Sequence, residues 1–262
     1  MTEQRPETFD RALYLQRLGR RRVGMDHALA EAIASALEER LSEISRQFDE
    51  ALILSPYADL LAKRIAATGR MGGITPMVPP MADTLALAAG SHDAILDILD
   101  LHCVNDVPGR LAQVRRALRP DGLYLACFFG GETLTELRQA WIEAELEVAG
   151  QVSPRVAPMI DVRVAGALMH EVSRLGLSNA LAARSRLPVT RRLLAAAVSH
   201  YQSRNAGEDG RVAATLELLW LTAWSPHESQ PRPLKPGSAA RRLADALGTS
   251  ETRLKADRSD AE

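Results

Sequence analysis

Between Asp93 and Arg138 the chain runs through a buried strand, a helix, a tight turn and a second strand, and this order limits what the remainder can fold into. Residues 94–99 are a short, almost unbroken apolar run, which suits a parallel strand covered on both faces. Asp106 precedes Pro108, an N-cap with a proline in the first turn, and Leu111, Val114 and Leu118 follow at helical spacing. Arg119-Pro120-Asp121-Gly122 stops that helix and turns the chain, and residues 123–129 supply the next strand. Strand, helix and strand form a βαβ unit, whose right-handed crossover commits the domain to an open, mostly parallel α/β sheet.

The bulk properties exclude several classes. With 262 residues, 46% of them hydrophobic, the chain can bury a substantial core, and one domain with attached helices is expected. A formal net charge of −1 gives no global field toward nucleic acid or an anionic membrane. Arginines cluster at 20–22, at Arg115, Arg116 and Arg119, and at Arg184, Arg186, Arg191 and Arg192, but aromatics are 4% and do not interleave with them. Solvated helix faces are the plainer account, so no nucleic-acid partner is expected. Cys103 and Cys127 are the only cysteines, both in apolar surroundings, which excludes a disulfide scaffold and suits a reducing compartment. No apolar run reaches membrane-spanning length and the first residues lack a signal peptide's apolar core, so a cytoplasmic location is expected.

Along the chain, residues 9–18 predict a short helix, and Leu29, Ile33, Leu37, Leu41, Ile44 and Phe48 predict a longer one. Residues 51–54 read as the first strand, followed by Ser55-Pro56-Tyr57-Ala58-Asp59, a turn without glycine. Residues 69–80, rich in Gly, Pro and Met, read as too broken for a second strand with its own helix, and Pro79 and Pro80 argue for loop or sheet edge. Gly130-Gly131-Glu132 opens a helix to about Val148, Asp161 caps a helix holding Val164, Leu168 and Val172, and Thr190 caps another through Tyr201. Residues 211–224 read most simply as a strand, followed by a proline-rich tail and a short helix near Leu243. The expected division is N-terminal helices over 1–48, an α/β domain over 49–248 and a disordered tail over 249–262.

Leu101-His102-Cys103-Val104-Asn105-Asp106, Arg119-Pro120-Asp121-Gly122, the run from Gly130 to Arg138, Ser153-Pro154-Arg155, Ser178-Asn179-Ala180 and His227-Glu228-Ser229-Gln230 occur in order. In these motifs the chain resembles the class I S-adenosylmethionine methyltransferase-like proteins that assist assembly of respiratory complex I, whose mitochondrial member is an arginine hydroxylase. The first two motifs also resemble the malonyl carrier protein methyltransferase of biotin synthesis. The resemblance implies a Rossmann-like fold with helices on both faces of the sheet and S-adenosylmethionine as cofactor. It also implies a partner among respiratory-complex subunits or assembly factors. Asp83 matches the acid that contacts adenine in relatives, and His102 matches a pocket-lining position.

Three departures from the family pattern shape the expectation. The glycine-rich turn after the first strand is replaced by residues 54–59, no acid matches the end of the second strand, and residues 167–169 run almost directly into Ser178 where the family has a further strand. Pro56 removes an amide, Tyr57 adds bulk and Asp59 adds negative charge where a cofactor should approach. The expected protein is therefore methyltransferase-like with an eroded cofactor site, a pseudoenzyme acting through a partner surface that includes Gly130, Gly131, Glu132, Arg155, His227 and Glu228. An active S-adenosylmethionine-dependent methyltransferase or arginine hydroxylase is the alternative.

Plainer readings stand beside these assignments. Asn105 and Asp106 cap a helix and His102 is a satisfied buried histidine. The glycines at 130 and 131 either turn the chain or present helix amides to an anion. His227 and Glu228, with no second pair at ligand spacing, suit a structural or partner role better than metal or acid–base chemistry. If the outer strand is missing, the last strand becomes a sheet edge, covered by the tail or by a second copy in a homodimer.

Overall fold

The computed structural model describes residues 7–19, 27–155, 179–184, 186–208 and 212–230. The helix expected from Asp161, the junction at 167–178, the basic run 20–22, the helix near Leu243 and the tail 249–262 lie outside the described residues. The chain divides into two compact units, Met1–Pro226 and His227–Glu262. In the first, the order is α1 (Arg11–Gly19), α2 (His27–Ser42), β1 (Phe48–Leu54), α3 (Ala58–Ala66), β2 (Met71–Met77) and β3 (His92–Ile98). There follow a single 3-10 turn (Leu101–Cys103), α4 (Val107–Ala117), β4 (Leu118–Phe129), α5 (Thr135–Ala149), α6 (Arg191–Asn205) and β5 (Leu218–Trp224).

The strands form one sheet in the order β2-β1-β3-β4-β5. The first four are parallel, and β5 pairs with β4 antiparallel, from Leu123 opposite Trp224 to Phe129 opposite Leu218. β3 is buried along nearly its whole length, as its apolar run requires in a sheet covered on both faces. Ile53, Leu96, Leu125 and Cys127 point to the face covered by α2, α3, α5 and α6, whereas Leu52, Ile95, Tyr124 and Ala126 meet α4. Asp106 caps α4 by accepting from the Gly109 amide at 3.0 Å, and the Thr190 hydroxyl caps α6 through Leu193 at 3.2 Å.

Four boundaries differ from expectation. β1 starts at Phe48, because its first residues pair with β2. The segment judged too broken for a strand is β2, parallel to β1 at the sheet border, with Pro76 inside it. An edge strand tolerates that proline because its N–H side faces away from the ladder. α5 begins at Thr135 rather than Gly130, after Leu134 in a left-handed conformation at φ 56°. β5 begins at Leu218 rather than near 211, because Ala213 bonds to the end of α6, its amide donating to Asn205 O at 3.1 Å, and residues 215–217 bond to the lead-in of α5: Leu134 N donates to Thr215 O at 3.4 Å and Gly130 N to Glu217 O at 2.9 Å.

Candidate functional site at the carboxyl edge of the sheet

Where the order of a doubly wound sheet reverses, ligands bind outside the carboxyl ends of the two strands concerned. Here the reversal lies between β1 and β3. The surrounding segments are residues 55–58 after β1, 78–83 after β2 and 99–106 after β3. Leu99 ends β3 at φ 63°, a costly conformation for a branched side chain. It is held from both sides, its amide donating to Cys127 O at 2.7 Å and its carbonyl accepting from the Tyr14 hydroxyl at 2.9 Å.

Asp100, fully buried just beyond Leu99, is the centre of a charge cluster. Nη2 of Arg11, from α1, donates to both of its carboxylate oxygens at 2.9 Å, and Nη1 of Arg110, from α4, donates to Oδ2 at 2.9 Å. Arg110 also lies 3.6 Å from Asp97 Oδ2, which accepts from the Tyr124 hydroxyl at 3.3 Å. Arg11 reaches further, to Pro80 O at 3.1 Å, Cys103 O at 3.4 Å and Asp83 Oδ1 at 3.5 Å. It thus spans from the segment after β2 to the segment after β3, across the end of β1. Burial, with the negative charge of Asp100 adding to it, pushes the Asp97 carboxyl up to about 7. With Asp97 protonated, two guanidinium groups face the carboxylates of Asp83 and Asp100, a balance that an interior of low dielectric tolerates.

The two residues expected to line a cofactor pocket both lie here. Asp83 Oδ2 accepts from the amides of Asn105 at 3.0 Å and Asp106 at 3.2 Å, and its other oxygen faces Arg11. His102 is buried, edge-on to Phe129 with centroids 4.9 Å apart and to Tyr14 at 6.1 Å. Neither ring nitrogen has a hydrogen-bond partner among the described residues, so His102 is buried without being satisfied. Burial pulls its pKa down to about 4 and leaves the ring neutral at physiological pH. Asn105 caps less than expected and grips the N-terminal segment instead, accepting from Phe9 N at 2.8 Å and donating to Phe9 O at 3.0 Å.

The amides of the turn after β1 are engaged inside the protein. Ser55 N donates to Met77 O at 3.0 Å, Tyr57 N to the Ser55 hydroxyl at 3.0 Å and Ala58 N to Ser55 O at 3.2 Å. Pro56 has no amide to offer.

The residues expected on a partner surface are held in different ways. At Gly130-Gly131-Glu132 the Glu132 amide already has an anion, the carboxylate of Glu217 at 3.0 Å. A Cβ on Gly130 would lie 2.0 Å from Glu217 Oε2, so a larger residue here would displace that side chain from the Glu132 amide. Arg155 is an interior residue, its side chain 10% exposed, with Nε 2.6 Å from Glu145 Oε1. The same carboxylate accepts from the Ser153 hydroxyl at 2.7 Å, and Asn179 Nδ2 donates to Pro154 O at 2.8 Å. Ser153 and Arg155 are therefore bound to α5 through Glu145, while Pro154, bonded to Asn179, is exposed. His227 and Glu228 belong to the second unit, where His227 Nδ1 and the Ser229 hydroxyl, 2.7 Å apart, close an exposed local turn. No group of residues able to hold a metal ion occurs among the described residues.

Arg11, Asp97, Asp100 and Arg110 were not singled out in the sequence. Asp97 and Asp100 did carry a signal: two acids in or next to a strand buried on both faces must find cations or protons, because an unpaired buried charge is too costly.

A mostly parallel, doubly wound sheet that ends in an antiparallel strand, with its crevice at the β1/β3 reversal, defines a protein of class I methyltransferase-like build. Among solved structures it shares a distant likeness with the YcgJ protein from Bacillus subtilis, at 10% identity and a TM-score of 0.42 over 74% of this chain and 99% of that one. By sequence it is 30% identical over 83% of its length to arginine-hydroxylase NDUFAF5 of Danio rerio, covering 81% of that protein. It is 31% identical to the malonyl-[acyl-carrier protein] O-methyltransferase of Xylella fastidiosa (strain M23), over 55% of this chain and 56% of that one. No family model matches. The chain belongs to the methyltransferase-like family that includes arginine-hydroxylase NDUFAF5. No described helix is long and apolar enough to cross a membrane.

Proposed function

We propose that this protein is a methyltransferase-like assembly factor that has given up its cofactor and works by binding a subunit or a fellow assembly factor of respiratory complex I. One observation carries the first half: Arg11 is buried between the segments that follow β2 and β3, bonded to Asp100 and paired with Asp83, at the edge where a doubly wound sheet takes its ligand. The residues there do not fit S-adenosylmethionine. The amides of Ser55, Tyr57 and Ala58 are spent, Asp83 is occupied by two amides and a guanidinium, and β2 ends in Met77 with Val78 and Pro79 beyond it. The second half is supported by the family, whose members in Danio rerio and Homo sapiens are mitochondrial arginine hydroxylases by name. The two free, buried cysteines suit a reducing, cytoplasmic setting.

Calorimetric titration of the full chain with S-adenosylmethionine tests the first half. The expected result is no saturable heat, and micromolar affinity would support the alternative, an active methyltransferase or arginine hydroxylase, which the identity to the named relatives favours. For the second half, Glu132→Lys and Glu228→Lys together alter two exposed acids without touching an interior pair. In cells lacking the native gene, recovery of respiratory subunits with the protein should fall. Unchanged recovery and respiration would place the partner surface elsewhere.

A further inference from the structure

Helix α1 is fastened to the carboxyl edge of the sheet mainly by polar groups. Arg11 holds Asp100, Asp83 and the carbonyls of Pro80 and Cys103, the Tyr14 hydroxyl donates to Leu99 O, and the Asn105 amide grips both backbone groups of Phe9. The same segment also meets residues 179–184: Asp10 N donates to Ala180 O at 2.7 Å, Ala182 N to Thr8 O at 2.9 Å, and Arg184 pairs with Asp10 at 3.0 Å. Its apolar anchors are few. Tyr14 and Leu18 pack with Cys103 and Ala180 in a small cluster of their own, apart from the two cores that cover the faces of the sheet. A segment held in this way opens as a local unit, at a lower free energy than the sheet it covers.

Docking of α1 leaves one polar group beneath it unsatisfied. His102 lies between the Tyr14 ring of α1 and Phe129 of β4, with neither ring nitrogen bonded among the described residues. Burial without a partner opposes docking, and the opposition disappears when water reaches the ring. Two charges act on the imidazole: Asp100, which favours its protonated form, and Arg11, which disfavours it and belongs to α1 itself. Cys103, beside the ring, has its thiol pushed up by burial and stays neutral. Departure of α1 therefore removes from His102 a covering ring and a repelling cation together, and leaves the attracting carboxylate in place.

We infer that α1 is a pH-sensitive cover of the carboxyl edge, closed while His102 is neutral and released when that imidazole takes up a proton. In the closed state burial holds the ring's pKa at about 4 against an ordinary 6.5, so between these values the open state binds more protons and opening is favoured as pH falls. Of the charged groups around Asp97, only Arg11 belongs to α1, whereas Asp100 follows β3 and Arg110 lies on α4. Loss of that one cation makes Asp97 hold its proton more firmly, which acts in the same direction. Release turns the carboxylates of Asp83 and Asp100 and the carbonyls of Pro80, Leu99 and Cys103 from partners of α1 into acceptors that face solvent.

Cys103 reports the opening, because Tyr14 and Leu18 help to bury it, and Cys127, inside the main core, reports global unfolding. The full chain is treated with dipyridyl disulfide, which stays reactive in acid, and labelling of each cysteine is followed by peptide mass spectrometry against free cysteine at each pH. Cys103 should react well before Cys127 at pH 7. Between pH 7 and pH 5 its relative rate should rise by about tenfold, while that of Cys127 stays low. His102→Phe keeps an aromatic ring that cannot be protonated and should abolish the rise. Tyr14→Phe, which gives up the bond to Leu99 O, should speed Cys103 labelling at pH 7 and keep the rise. Hydrogen exchange of amides 11–19, compared with those of β3, should follow Cys103 in the unsubstituted chain and decides the matter if His102→Phe does not fold. Labelling of Cys103 in step with Cys127 would overturn the inference, since α1 would then open only with the whole domain. So would a Cys103 rate indifferent to pH, or a rise that persists in folded His102→Phe. No ligand enters these measurements, so they stand apart from the cofactor titration.

Discussion

The carboxyl edge above β1 and β3 and the outer side of β5 handle exposed polar backbone and charge in opposite ways. At the first, the main charged groups are met from within the chain, Asp100 by two guanidinium groups and Asp83 by two amides and Arg11, while both ring nitrogens of His102, Asp97 Oδ1 and Arg110 Nη2 have no hydrogen-bond partner among the described residues. At the second, β5 carries no charged residue, has no partner strand on its outer side among the described residues, and leaves Leu219 and Leu221 part exposed. Arg11, Asp97, Asp100 and Arg110 bring buried charge to the carboxyl edge, whereas the sequence of β5 contains none and its nearest cation, Arg40, stacks on Trp220.

Removing the centre of the closed region should have the largest effect. Asp100→Ala strands the buried guanidinium groups of Arg11 and Arg110, and should cost about 3–5 kcal/mol in denaturant unfolding. A loss below about 1 kcal/mol would mean that water already reaches the cluster and that the crevice is open.

A second effect is read in pH. Asp97 ionises at about 7 in the fold against an ordinary 3.8, so the folded state holds more protons between those values and stability falls as pH rises through that window. His102 runs the other way: its pKa of about 4 in the fold against an ordinary 6.5 means that stability falls as pH drops through this range. Between about pH 4 and 6.5 the two trends oppose each other, so Asp97→Asn should leave the His102 trend unopposed and make stability rise more steeply with pH through this range. If urea midpoints across pH 4–8 kept their shape in this variant, Asp97 would be ionised throughout and the cluster would not be neutral.

Glu217 joins the two regions, since it satisfies the Glu132 amide and leaves β5 without a charge. Glu217→Ala should cost about 0.5–1.5 kcal/mol, the net worth of a hydrogen bond of this kind. Amides 132–134 should then exchange faster while those of β5 do not. The smallest effect is expected at the open region: Leu221→Lys should change the stability of the monomer by no more than about 0.5 kcal/mol, because the side chain is already part exposed. A larger loss, measured at a concentration where only monomer is present, would show that Leu221 is a core residue and that the comparison is drawn in the wrong place.

Much of the fold was legible from local rules. The βαβ unit from β3 to β4, the Asp106 and Thr190 caps and the amphipathic α2 follow from periodicity and capping, which act within a few residues. The antiparallel last strand at the border of the sheet came from the family resemblance rather than from spacing. β2 was read only as a shortened strand or sheet edge within residues 69–80, because glycine and proline weaken strand propensity, while its pairing to β1 depends on residues far along the chain.

The site was less legible for the same reason. Asp83 and His102 were located by resemblance, but nothing in their spacing shows that one caps the segment before α4 and the other is buried without partners. Arg11 and Asp100 stand 89 residues apart, and only the docking of α1 onto the end of the sheet brings them together. Glu217 reaches Glu132 across 85 residues in the same manner. By itself the sequence determined the class of sheet, the order of its central elements and the absence of a glycine turn, because those are written in neighbouring residues. Only the tertiary structure decided which residues meet at the carboxyl edge of the sheet, because a buried charge finds its partner by proximity in space rather than by spacing along the chain.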